Sequence, residues 1–210
     1  MKMRNLFVIV SLILLTTMAY SQDLVQTDSL SAQMKKQNID RRHSIGSTLF
    51  LAGNLAPGDP PHFFQLNYGY RLNQRSAIVV EAITWTVYEP IGTYEDSDEL
   101  YPGKLRSYGI GVGYQRFWWK NSYTTVQATP FLLQFIDSEN EEIQKGFQLY
   151  LQLRLGYRLE FFKQSWFLEP SIAFNYWPIY TNFPKDFKEV EDGAPNYFLF
   201  EPGLHFGYRF

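Results

Sequence analysis

Apolar and polar residues alternate along long segments of this chain, most regularly between residues 146 and 162. One face of this segment carries Phe147, Leu149, Leu151, Leu153, Leu155, Tyr157, Leu159 and Phe161. The other face carries Gln148, Tyr150, Gln152, Arg154, Gly156, Arg158 and Glu160. Successive side chains of a β-strand point to opposite faces, so this period of two predicts a strand and excludes an amphipathic helix.

Eight strand-like segments follow one another through the chain. They lie at residues 44–53, 62–72, 76–88, 105–118, 123–135, 146–162, 165–177 and 196–210. Their connections alternate between short turns and longer stretches rich in proline, glycine and acidic residues, the latter at 54–61, 89–104, 136–145 and 178–195. This alternation predicts an all-β fold, an eight-stranded antiparallel up-and-down β-barrel with both ends on the side of the short turns.

The direction of the apolar face separates a soluble lipocalin-like barrel, which is apolar inside, from a transmembrane barrel, which is apolar outside. Gly109, Gly111 and Gly113 share the polar face of the fourth segment, where they would make room for side chains across a narrow lumen. Apolar residues from every strand would overfill an eight-stranded interior. Several apolar runs also end in Trp, Tyr or Phe, as interfacial girdles do. We therefore predict a transmembrane barrel.

Two similar nine-residue stretches place a proline inside a predicted strand. Residues 168–176 and 200–208 both read Glu-Pro-x-apolar-x-Phe-x-Tyr after their first residue. Proline cannot donate to a strand ladder, so we expect a bulge or an unpaired position at Pro170 and at Pro202.

Both ends of the chain carry export signals. Lys2 and Arg4 precede the apolar run 6–15, and Ala19-Tyr20-Ser21 supplies small residues for cleavage before Gln22. The run is too short for a comfortable membrane anchor, so residues 1–21 are predicted to be a signal peptide. Residues 22–43 are predicted to be a short polar periplasmic tail before the barrel at 44–210. The last strand ends on Phe206, Tyr208 and Phe210, with nothing after the final aromatic residue.

This ending resembles the C-terminal signal that the outer-membrane insertion machinery recognises. Together with the strand pattern and the Ser21-Gln22 processing region, it makes the chain similar to small outer-membrane β-barrel proteins common in Bacteroidetes-type bacteria. The resemblance implies residence in the cell outer membrane, with outer-membrane lipid, lipopolysaccharide and the insertion machinery as partners. It implies no catalytic motif and no cofactor.

Composition narrows the function classes further. The formal net charge is −2 at pH 7 and the chain has no cysteine, so nucleic-acid binding, lipidation at cysteine and disulfide stapling are not predicted. Aromatic residues make up 18% of the chain, as expected where rings collect at membrane interfaces. No segment after the leader offers about 20 consecutive apolar residues.

Charged residues lie on the predicted inner face of the barrel. They are Arg71, Glu81, Arg154, Arg158, Glu160, Glu169, Glu201, His205 and Arg209. Charges in a confined lumen must pair or stay hydrated, so we expect a structural network that plugs the barrel. A proton or ion path, or a binding pocket, is the alternative.

An outer-membrane lipid enzyme would need a histidine base near the membrane surface, with a hydroxyl and a carboxylate. His62, at the junction of the first long loop and the second strand, is the one candidate base, but no nearby serine follows it. We predict a non-enzymatic protein with an envelope-structural or surface-interaction role. The alternatives are a lipopolysaccharide acyl-modifying enzyme and a narrow channel or transport accessory.

The long loops carry acidic clusters at 95–99, 137–142 and 189–192, whose spacing fits no EF-hand, so no metal site is predicted. The last loop also carries Tyr180, Phe183 and Phe187. These rings either mark a surface for an extracellular partner or fold over the barrel mouth, which we favour.

Overall fold

A computed structural model describes residues 41–55, 57, 60–87, 103–137 and 139–210, and its strands form one closed antiparallel ring. The strands are β1 (His43–Thr48), β2 (Phe64–Asn73), β3 (Ser76–Val87), β4 (Gly103–Phe117), β5 (Ser122–Asp137), β6 (Glu142–Tyr157), β7 (Leu159–Phe161), β8 (Trp166–Thr181) and β9 (Tyr197–Arg209). β7 continues β6 after a one-residue break, so the ring has the eight strands predicted. The signal peptide, most of the tail and the acidic stretch 95–99 lie outside the described residues.

The last strand closes the ring on the first. β9 pairs with β1 from Ser44 opposite Arg209 to Thr48 opposite His205, and with β8 on its other side. The remaining strands pair in chain order, with β6 and β7 both against β8. Closure gives each of the eight strands a neighbouring strand on both sides, as expected of a sheet surrounded by lipid.

Three predicted boundaries are wrong. The first strand ends at Thr48, and a 3₁₀ helix (Leu49–Leu55) replaces its expected second half. The predicted long connection 136–145 is a tight turn, because β5 continues to Asp137 and β6 begins at Glu142. The last connection is shorter than expected because β8 continues to Thr181, and it contains a helix, α1 (Lys185–Gly193).

The outside of the ring is apolar, and its inside is polar in the half that holds the chain ends. Neighbouring residues on β5 illustrate the alternation: Leu132 is 67% exposed and Leu133 is 1% exposed. Ile110, Val112 and Val126 are exposed in the same way, whereas Gln115 and Gln127 are buried. Exposed aliphatic bands around a charged lumen are the arrangement of a barrel that spans a lipid bilayer. The protein is an outer-membrane β-barrel.

None of the helices in the described ranges is long and apolar enough to cross a membrane.

The three alternate glycines of β4 face inward, as predicted, but they make room for the neighbouring strand rather than for side chains across the lumen. A Cβ at Gly109 would lie 2.6 Å from the Phe131 ring, and one at Gly111 would lie 2.3 Å from Thr129 Oγ1. Both contacts are far inside van der Waals distance. The glycines therefore let the inward side chains of β5 lie flat against β4.

An irregularity in the pairing lies beside each strand proline, as expected. Between β6 and β7 the ladder stops after Gly156 opposite Ser171 and resumes at Leu159 opposite Leu168, so the gap lies opposite Pro170. On β9 the register shifts just before Pro202, where Phe200 has a φ of 65°. Arg158 lies beside this gap, and on its other side its N–H bonds to the Asn121 carbonyl at 3.0 Å.

Candidate functional site

A buried ion pair lies in the half of the lumen nearest the chain ends. Arg158 Nε donates to Glu169 Oε1 at 2.6 Å, and both side chains are less than one-tenth exposed. The guanidinium also donates to Gln115 Oε1 at 3.2 Å and lies 4.3 Å from the Phe167 ring centroid and 4.8 Å from that of Phe117. Hydrogen bonds and ring faces thus replace the water that both charges lose.

A second ionic group adjoins the first at the end of the barrel. Arg209, on the last strand, donates to Glu160 on β7. Arg71 lies 4.0 Å from the same carboxylate and 4.8 Å from the Phe117 ring centroid. The C-terminal strand therefore contributes one of the cations that occupy the lumen.

The middle of the lumen is held by amides rather than by ion pairs. Glu81 accepts hydrogen bonds from Gln65 Nε2 at 2.7 Å and Gln127 Nε2 at 2.8 Å. Glu201 accepts one from Asn175 Nδ2. Within the described residues, neither carboxylate has a cationic nitrogen within 4.0 Å.

Arg154 and His205 meet in this middle layer. Arg154 Nη1 donates to His205 Nε2 at 2.6 Å, and Nη2 donates to Gln152 Oε1 at 2.7 Å. Gln152 in turn donates to Asn175 Oδ1 at 2.9 Å, which links Arg154 to the amide that holds Glu201. All nine charged positions named from the sequence thus take part in contacts inside the barrel.

The amides are the members that sequence reasoning missed. They are Gln65, Gln115, Gln127, Gln152 and Asn175, all buried. Their signal was available, because each occupies an inward position of an alternating strand. The charged residues were identified by their charge alone, whereas a buried carboxylate needs a hydrogen-bond donor of any kind, including an amide.

A cavity of about 60 Å³ remains among these groups, and its lining includes Arg154, Arg158, Glu169, His205 and Gln127. Such a volume has room for a small number of hydrogen-bonded waters. It is far below the ~300–1,000 Å³ typical of small-molecule sites.

The opposite half of the lumen is apolar. Leu105, Phe131, Leu133 and Phe135 point inward from β4 and β5 and form a buried cluster with Phe187 of α1. The Phe135 ring centroid is 4.9 Å from that of Phe187 and 5.0 Å from that of Phe183. The aromatic residues of the last loop therefore fold over the barrel mouth, as favoured from the sequence.

A buried carboxylate fastens α1 to the barrel wall beside this cluster. Glu191 lies one turn after Phe187, so the two side chains share a face of the helix. Glu191 Oε1 accepts from Trp177 Nε1 at 2.7 Å, and Gln148 Nε2 lies 3.5 Å away. Trp177 is fully buried and stacks on Tyr150 with 6.0 Å between ring centroids.

The surroundings of the Glu191 carboxyl shift its pKa. Burial raises the pKa of Glu191 to about 7, and the neighbouring Asp192 adds to the rise, whereas the Trp177 hydrogen bond opposes it. Hydrogen bonds from Lys188 and Tyr180 lower the pKa of Asp192 below its usual value. Only Glu191 of this pair is therefore set to change charge near neutral pH.

We expect α1 to hold the barrel most firmly at pH 5 and to loosen as the pH rises to 8. Because the pKa of Glu191 is higher in the docked state than in a solvated carboxyl, protonation favours docking and ionisation opposes it, by up to about 3 kcal/mol. A spin label on Glu189→Cys, in a chain that has no other cysteine, reports the mobility of α1. Glu191→Gln keeps an acceptor for Trp177 and should abolish the pH dependence; an equal dependence in that variant would contradict this assignment.

His62 stands apart from these groups. Its side chain is exposed, its backbone has a φ of 43°, and no described hydroxyl or carboxylate is hydrogen-bonded to it. The described residues also contain no group of three or more His, Cys, Asp or Glu side chains placed to hold a metal ion.

The terminal aromatic residues lie on the outer surface. Phe206, Tyr208 and Phe210 are all exposed. The Tyr208 ring centroid lies 5.1 Å from that of Trp166, and the Phe210 ring stacks 5.8 Å from His43. These rings form part of an aromatic girdle at the end of the barrel that holds both chain ends.

Comparison with known proteins adds little to this geometry. No family model and no curated protein matches the chain. One solved structure, Ail, the attachment invasion locus protein of Yersinia pestis, is similar over 80% of this chain and 97% of that chain, with 15% identity and a TM-score of 0.42. At this TM-score and identity, the likeness carries no argument about what the chain does.

Proposed function

We propose that this chain is a non-enzymatic outer-membrane protein with a closed lumen, which serves the envelope as a structural element or presents its loops to other molecules. The observation that supports this most strongly is the double closure of the barrel. Ion pairs and amides fill the half near the chain ends, and the aromatic cluster under α1 fills the other half. A solute would have to displace both layers to pass.

The same proposal assigns roles to the chain ends. Residues 1–21 act as a signal peptide removed before Gln22, residues 22–43 form a periplasmic tail, and Phe206, Tyr208 and Phe210 are read by the insertion machinery. The long loops then face the outside of the cell, and the short turns face the periplasm.

Conductance is the sharpest test of the closed lumen. Purified, refolded protein should migrate at different positions on detergent gels with and without heating, which reports a folded barrel. In planar bilayers the same preparation should give a current indistinguishable from lipid alone. Steady single-channel steps would contradict the closed lumen and would favour the channel alternative.

The enzyme alternative is tested through His62. We expect mass spectra of lipopolysaccharide to show the same acyl chains in wild-type, deletion and His62→Ala strains, because no described hydroxyl or carboxylate contacts this histidine. A change in acylation shared by the deletion and His62→Ala strains would overturn the non-enzymatic proposal.

A further inference from the structure

An apolar groove crosses the outer surface of the barrel wall between β2 and β6. Its volume is about 430 Å³. Its lining includes Ala82 and Pro130, with Ile110 between them, and larger side chains around them: Phe64, Tyr108, Leu132 and Phe147. The volume is within the ~300–1,000 Å³ typical of small-molecule sites.

The groove exists because small or constrained residues meet there. The β4–β5 pairing runs to Gly109 opposite Phe131 and resumes at Val112 opposite Ala128, so it is interrupted beside Pro130. Proline has no N–H to donate to the neighbouring strand. Ala82 on β3, opposite Ile110, adds a second position in this row without a bulky side chain.

A cationic row lies directly above this groove. The strand register places Arg106 on β4 opposite Gln134 on β5, and Gln134 opposite Lys145 on β6. The next outward row towards the chain ends contains Tyr108, Leu132 and Phe147, which line the groove. Two residues along a strand span about 7 Å, so the cations lie just above the apolar surface.

The cations of this row are open to an anion from outside. Within the described residues, Arg106 has no carboxylate within 4.0 Å. Lys145 pairs with Glu142 at 3.5 Å, but both side chains are largely exposed, and such surface pairs contribute little. Glu142 is also held by Gln134 Nε2 at 2.6 Å.

From this arrangement we infer that the groove binds one acyl chain of lipopolysaccharide, with a phosphate of the same molecule on Arg106 and Lys145. The groove supplies an apolar slot within the bilayer, and the cations supply charge at headgroup height. It lies in the half of the barrel with the long loops, which faces the outer leaflet, where lipopolysaccharide is the phosphorylated lipid. This inference rests on the orientation proposed above and names one partner of the envelope role.

Ala82→Phe tests the groove by placing a large side chain in its lining, and Ala128→Phe is the matched control. Ala128 also faces outward, on β5, but is two residues away from Pro130 and outside the groove lining. Full-length protein is mixed with lipopolysaccharide, dephosphorylated lipopolysaccharide or phosphatidylglycerol in detergent, and bound lipid is counted by native mass spectrometry.

We expect the Ala82→Phe variant to retain about tenfold less lipopolysaccharide than wild type, and the Ala128→Phe variant to retain as much as wild type. Arg106→Gln should lower retention about fivefold, and wild type should retain dephosphorylated lipopolysaccharide equally poorly. Equal retention by the two phenylalanine variants, or equal binding of phosphatidylglycerol, would overturn the inference. Loss of the heat-dependent gel shift in wild type would instead contradict the proposed outer-membrane role itself.

Discussion

Replacing Glu169 with alanine is expected to lower the free energy of unfolding by about 3–5 kcal/mol, because it leaves the buried Arg158 guanidinium without its carboxylate partner. Arg158 is 6% exposed at its side chain and donates to Glu169 at 2.6 Å. Without the carboxylate, the one side-chain acceptor left to its guanidinium among the described residues is Gln115, at 3.2 Å. The two flanking phenylalanine rings attract the cation but cannot accept its hydrogen bonds as a carboxylate does.

Urea titration of the protein in lipid vesicles measures this change through the heat-dependent gel shift. Glu139→Ala is the matched control, because Glu139 is an exposed carboxylate in the turn between β5 and β6. It should change the free energy of unfolding by less than about 0.5 kcal/mol. Similar midpoints for the two variants would mean that the ion pair does not hold the lumen together.

The adjacent leucines of β5 are expected to respond very differently to truncation. Leu133→Ala removes a side chain that is 1% exposed inside the apolar cluster. Such a change should cost about 2–5 kcal/mol through lost burial and the cavity it leaves. Leu132 is 67% exposed on the outer surface, where lipid fills the space that a truncated side chain leaves. Leu132→Ala should therefore cost less than about 1 kcal/mol.

The same unfolding assay compares this pair, and the chemistry of the two substitutions is identical. The difference therefore reports only the direction in which each leucine points. A larger loss for Leu132→Ala than for Leu133→Ala would mean that the inside and the outside of the barrel are exchanged.

The strand count and the inward or outward direction of most side chains could be predicted because both are local properties. A residue's face follows from the parity of its position in a strand, so Arg158 and Glu169 were placed in the lumen without knowledge of any neighbour. The first strand was predicted too long because residues 49–52 continue its apolar pattern, yet they turn into a 3₁₀ helix.

The sequence does not predict the apolar half of the lumen, which lies away from the chain ends. Near the end of β5, Phe131, Leu132, Leu133, Phe135 and Ile136 are apolar on both faces, so alternation no longer separates inside from outside. The inward side chains of this segment pack against the helix α1, which covers them, and this contact accounts for apolar residues at positions that face the lumen. Three whole strands, β6, β7 and β8, lie between Phe135 and Phe187 in the chain, and no local pattern connects the two residues.

Alternation along the chain, with the aromatic ending and the even number of segments, was enough to specify a membrane-spanning barrel whose charges point inward. It could not specify which charge meets which partner. Glu169 pairs with Arg158, 11 residues away, and Glu160 pairs with Arg209, 49 residues away. Glu81 accepts a hydrogen bond from an amide, Gln127, rather than from a cation. Those choices depend on the stagger between neighbouring strands around the closed ring, which sets the height of every inward side chain. Stagger arises from the pairing of whole strands, so it became visible only in the folded molecule.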